Sequence, residues 1–73
     1  MMNNDKKLLI DLCRHLKARR EKLGISQARI SEIMGLNQSN ISRFEDGQID
    51  SAVMLYRYTA ILKIIERGEF NDR

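Results

Sequence analysis

The sequence predicts an all-α protein of four to five helices. Three observations carry that prediction. Gly24, Gly35, Gly47 and Gly68 each follow a stretch with helical apolar spacing, where a left-handed residue closes a helix. There is no proline to break the segments between them. β-branched residues are scattered rather than alternating with polar ones, and no hairpin turn signal appears.

The first segment runs from about Asp5 to Lys22. Leu9, Leu12, Leu16 and Leu23 recur on one helical face, which Leu8, Ile10 and Cys13 widen. Asn4 or Asp5 is placed to cap its start. Arg14, Lys17, Arg19, Arg20 and Lys22 crowd its last turns, where positive charge suits the helix dipole. The second segment is short. Ser26 is the expected N-cap, and Ile30, Ile33 and Met34 form the apolar face before Gly35.

The third segment begins at Asn37, a good N-cap, and runs to about Glu45. Its apolar residues are Ile41 and Phe44, three apart. At 100° per residue, Gln38, Ser39, Ser42, Arg43 and Asp46 share a sector of about 140° on the opposite side. The fourth segment begins at Asp50 or Ser51. Leu55, Tyr58, Leu62 and Ile65, with Met54 and Ile61, form one face, and Val53, Tyr56, Ala60 and Ile64 form a second. A helix apolar on both sides needs cover on both sides, so the second face points to a subunit partner.

At 73 residues the chain holds one small domain, residues 1–73, with the paired short helices at about 26–46 and a fourth helix with dimerisation segment at 51–70. A domain of this size buries about 60% of the surface its unfolded chain exposes. A deep cofactor pocket is therefore not expected, and self-association helps stability. Cys13 is the only cysteine and His15 the only histidine, two residues away. An intrachain disulfide is excluded, and residues two apart on a helix do not share a face, so no metal or cofactor is expected. Cys13 reads as a buried thiol. Asn3 to Lys7 lead into a charged segment unlike a secretory leader, and the apolar runs are too short to span a bilayer. A reducing cytoplasm is the expected compartment. No nucleophile arrangement, carboxylate cluster or phosphate loop suggests an enzyme.

Two short helices joined by a turn carrying Gly35 form a helix-turn-helix pattern. The stretch from Leu16 to Leu62 resembles the lambda-repressor-like family of bacterial and phage regulators, the Cro/cI or XRE type. The matching residues are Leu16 to Gln27, then Met34-Gly35-Leu36, then Ile41-Ser42-Arg43-Phe44-Glu45-Asp46-Gly47. The resemblance implies that Gln38, Ser39 and Arg43 read DNA bases. It also implies that Gln27 binds a phosphate and braces the first reader, and that Ser26, Asn37 and Asn40 help hold the DNA backbone. Arg20 and Glu45 match a salt-bridge pair, with a phosphate contact as a second role for Arg20. Two positions depart from the pattern: Asp46, where Asn is frequent near a phosphate, and Ser31, where Ala is usual in close helix packing.

Side-chain chemistry supports this reading independently. A recognition helix exposes hydrogen-bonding side chains to base edges, nearest at its N-terminus. Gln38 suits adenine and Arg43 suits guanine, each in a bidentate way. Ser39 is short enough for close approach. The formal charge of +3 decides little until it is divided. Residues 14, 17, 19, 20, 22, 29 and 43 are basic against acidic 21 and 32, giving +5 from Arg14 to Arg43. From Glu45 to Arg73, four basic and six acidic residues give −2. A basic half beside the proposed DNA face suits phosphate binding.

The resemblance weakens after Leu62, where the family commonly adds a loop and a fifth helix. Residues 63–67 either continue helix four up to Gly68 or pair as a strand with a partner subunit; the helix is the preferred reading. Tyr56, Ile61, Ile64, Ile65 and Phe70 are the candidate dimer residues. The expected function is a sequence-specific, double-stranded-DNA-binding transcriptional regulator, a homodimer on a pseudo-palindromic operator. The alternatives are an antitoxin that also binds a toxin, a restriction–modification controller, and a protein-only interaction module.

Overall fold

Each helix of the chain ends where the sequence places a glycine. The computed structural model describes residues 3–48 and 52–69, with side chains from Asp5 onward. It holds α1 (Asn3–Lys22), α2 (Gln27–Met34), α3 (Gln38–Glu45) and α4 (Ala52–Glu66), and no strand among the described residues. All four glycines have φ between 68 and 89°, and all four close their helices by the same two backbone bonds. At α3, the Gly47 amide donates to the Phe44 carbonyl and the Gln48 amide to the Arg43 carbonyl, both at 2.9 Å. This is the paired closure that satisfies carbonyls left over at a helix end.

The same closure decides the fate of residues 63–67. Gly68 donates to Ile65 at 2.9 Å and Glu69 to Ile64 at 3.0 Å. The preferred helical reading holds and its alternative, the intersubunit strand, does not: α4 continues to Glu66, and its last carbonyls find partners at Gly68 and Glu69. Gly47 has a further duty. A Cβ there would meet Ile10 Cγ1 at 2.6 Å and Ile10 Cα at 3.0 Å. Gly47 thus lies directly against the backbone of α1.

Eight side chains make the buried core, two from each helix: Cys13 and Leu16, Ile30 and Met34, Ile41 and Phe44, Tyr58 and Leu62. Each pair is three or four residues apart, the spacing of one helical face. Burying each large apolar side chain contributes about 1.5–3 kcal/mol. Phe44 and Tyr58 stack with ring centroids 4.7 Å apart, tilted by 34°. Cys13 is buried as expected, and burial pushes its thiol pKa up.

Three expectations need correction. Helix α1 starts at Asn3, so Asn4 and Asp5 lie inside it, and Asp5 supplies a first-turn acid rather than a cap. Leu8 and Leu12 belong to the periodic stripe of α1 yet are 66% and 42% exposed. Leu9, Cys13, Leu16 and Arg20 mark the covered line of α1, and Leu12 and Leu8 lie about 70° and 110° around the helix from it. Asn37 occupies the N-cap position of α3, but its side chain makes no capping bond. Asp50 and Ser51, the expected start of α4, and Phe70 lie outside the described residues.

Candidate nucleic-acid interface

The two short helices form the centre of the site. The Ser26 side chain accepts from the Arg29 amide at 3.0 Å, so it caps α2 as its residue type dictates. At the other end, Gly35 takes the left-handed conformation and turns the chain toward α3. Ser31, where the related pattern favours alanine, is buried and donates to the Ala28 carbonyl at 2.7 Å. Its hydroxyl is satisfied inside its own helix, and the side chain stays small enough for the close approach.

Burial of Ile41 and Phe44 fixes the rotation of α3. Gln38, Ser39, Ser42, Arg43 and Asp46 are consequently all exposed, as one polar sector. Asn40 is half-buried at its edge and accepts a hydrogen bond from Arg43 Nη2. Asp46 is the C-cap residue of α3.

Behind that sector sits a buried carboxylate. Glu45 is 1% exposed and accepts four hydrogen bonds, two on each oxygen. Oε2 receives Arg20 Nε at 2.7 Å and the Tyr58 hydroxyl. Oε1 receives Arg20 Nη2 at 3.1 Å and Gln27 Nε2 at 3.0 Å. Arg20 spends its remaining nitrogen, Nη1, on the Ile25 carbonyl at 2.5 Å. Burial alone would raise the Glu45 pKa, but the bonds from Arg20, Tyr58 and Gln27 and the Arg20 charge outweigh it and hold the carboxyl below its ordinary 4.5. Burial, followed by the bond to Glu45, pushes the Tyr58 hydroxyl well up, so Tyr58 stays a donor.

The chain of bonds continues to the surface. Gln38 Nε2 donates to Gln27 Oε1 at 3.4 Å, so Arg20, Tyr58, Glu45, Gln27 and Gln38 form one connected series. With 5% exposure and its guanidinium bonded inward, Arg20 has the bracing role and little surface to offer a phosphate.

The geometry also revises the charge reading. Three of the seven cations between Arg14 and Arg43 pair with glutamates: Arg19 with Glu66, Arg20 with Glu45 and Arg29 with Glu32. Among the described residues no carboxylate pairs with Arg14, Lys17, Lys22 or Arg43. The cations without such a partner sit on α1 and α3.

Of the candidate dimer residues, Tyr56 is 75% exposed and Ile64 38%, beside Val53 at 63%. Ile65 and Ile61 are half-buried, and Ile61 packs against the core rather than facing away from it. Tyr56, Thr59, Ala60 and Lys63 line a shallow groove on the outer side of α4.

Sequence reasoning missed three ties. The Tyr58 hydroxyl was hidden by the apolar stripe that contains it. Arg57 Nη2 donates to the Met34 carbonyl at 2.7 Å, closing the end of α2 from α4. Arg19 grips Glu66 through Nε at 3.0 Å and Nη2 at 2.6 Å. No local signal marks either arginine, because each partner is distant in sequence. No group of His, Cys, Asp and Glu among the described residues is arranged to hold a metal ion, and no described helix is long and apolar enough to cross a membrane.

The family described as a helix-turn-helix domain matches residues 11–67, from near the middle of α1 to just past the end of α4. No curated protein and no solved structure matches the chain.

Proposed function

Because the chain belongs to the helix-turn-helix domain family, a DNA-binding regulator type, we propose that it is a sequence-specific transcriptional regulator of double-stranded DNA, acting in the cytoplasm as a homodimer. The observation that carries this reading is the exposed sector of α3. Five polar residues there face away from Ile41 and Phe44, on a helix short enough to enter a major groove. Gln38, Ser39 and Arg43 read bases. Ser26, Asn37 and Asn40 hold the backbone, Gln27 braces Gln38 from behind, and Arg20 acts through Glu45. Arg43 releases the Asn40 oxygen to reach guanine, and the Asn40 NH2, which Arg43 does not engage, donates to a phosphate.

The homodimer reading rests on the outer face of α4. Val53, Tyr56 and Ile64 place exposed apolar surface on one helix, and two copies joined there would present two reading heads to half-sites about 34–36 Å apart. A toxin or other protein partner is the competing occupant of the same face.

Selection of bound sequences from a random DNA pool tests the proposal. The expected result is a pseudo-palindromic motif that Arg43→Ala relaxes at one position per half-site, at a cost of about 1–3 kcal/mol. Recovery of no motif, with a flat salt titration, would leave the protein-only module.

A further inference from the structure

We propose that Glu45 decides which purine Gln38 accepts, by fixing the polarity of two side-chain amides in series. The inference rests on the reading of Gln38 as a base contact and adds a cause for its specificity. A carboxylate only accepts hydrogen bonds. The group of Gln27 that meets Glu45 Oε1 at 3.0 Å is therefore its NH2 and not its oxygen. That choice turns the Gln27 oxygen toward α3, where Gln38 meets it with its own NH2 at 3.4 Å. The carboxylate itself does not rotate, because Arg20 holds both of its oxygens and Tyr58 one of them.

The consequence lies on the outer edge of Gln38. One of its two amide hydrogens is given to Gln27. The second hydrogen and the carbonyl oxygen remain, as one donor beside one acceptor. That pair matches N7 and N6 of adenine. Were both amides to turn over, Gln38 would give its oxygen to Gln27 and present two donors outward, which matches the N7 and O6 acceptors of guanine. In the folded protein this reversal would aim the Gln27 oxygen at a buried carboxylate. Glu45 thus excludes the guanine-reading form from a distance of two side chains.

The experiment compares duplexes differing only at the base pair whose preference Gln38→Ala erases. Wild type should favour adenine over guanine there by about tenfold or more, the scale of one bidentate contact. Gln27→Met leaves the core ion pair in place and removes the polarity reference. In this variant adenine and guanine should bind within about twofold of each other, with cytosine and thymine still rejected and the salt slope unchanged. Arg20→Met/Glu45→Leu, an apolar replacement of the buried pair, should do the same in a protein whose melt is still cooperative; Gln27→Met carries the test by itself if that double variant does not fold. A mere loss of packing would weaken all four bases alike, and that outcome overturns the proposal. So does adenine preference that survives Gln27→Met while Gln38→Ala abolishes it. A Gln38→Ala variant that keeps the wild-type motif removes the base-reading role itself.

Discussion

Arg19 and Arg20 are neighbours in sequence, and each grips a glutamate with two nitrogens. Arg19 takes Glu66 at 2.6 and 3.0 Å, and Arg20 takes Glu45 at 2.7 and 3.1 Å. The geometry is nearly the same, but the surroundings are not. Side chains of the first pair are 25% and 36% exposed, and those of the second 6% and 1%. In water an ion pair exchanges one set of good contacts for another. In the core, each charge depends on its partner for all it lost on leaving water. One pair therefore fastens two helix ends lightly, whereas the other is a fixed point around which the site is built.

The sharpest way to break the comparison is to remove one acid from each pair. Glu45→Ala strands a buried guanidinium, and thermal or denaturant unfolding should show a loss of about 3–5 kcal/mol. Glu66→Ala should leave the transition close to wild type, and what change there is should vanish in concentrated salt. A large salt-resistant loss in Glu66→Ala would show that burial is not what separates the pairs.

Next in size is Tyr58→Phe. The ring that stacks on Phe44 stays, and one donor to Glu45 is lost. A bond to a charged acceptor is worth about 1.5–3 kcal/mol, which chemical denaturation would resolve. Acid titration should show a smaller difference. Because the Glu45 pKa is lowered on folding, its contribution is complete above the unfolded carboxyl value near 4.5 and is lost as pH falls through the lower folded value. The Glu66 pKa is lowered too, by its bond with Arg19, but at the surface and open to screening. In high salt, stability below about pH 4.5 should therefore fall more steeply in wild type than in Arg20→Met/Glu45→Leu. Equal slopes would mean that other carboxyls dominate the acid limb.

The sequence was informative wherever the cause is local. Glycine closes a helix by its own backbone freedom, so Gly24, Gly35, Gly47 and Gly68 marked the ends. Ile41 and Phe44 define the inner face of α3, so the outward sector of Gln38 to Asp46 was legible from spacing alone. The Arg20–Glu45 pair, 25 residues apart, came only through resemblance to a known family. The link from Glu45 to Gln27 and the Tyr58 hydroxyl could not be read at all, since periodicity records where a side chain sits and not which atom it offers. Leu8 and Leu12 failed for a related reason: a stripe states that a face is apolar, but where the neighbouring helices rest around it decides which part is covered.

Helix α4 is tied to both sides of the molecule, through Arg57 to the last turn of α2 and through Glu66 to the end of α1. It is held at two points, one of them only lightly, and the two together limit how far it swivels beneath the reading head. Were two copies to meet through α4, as proposed, adjustment between their heads would come mainly from bending the DNA or from slippage between the subunits. One inserted base pair turns a half-site by about 34–36° around the duplex axis, and a frame held in this way would follow it only in part. In the proposed dimer, operator spacing would then be a dimension of the protein itself.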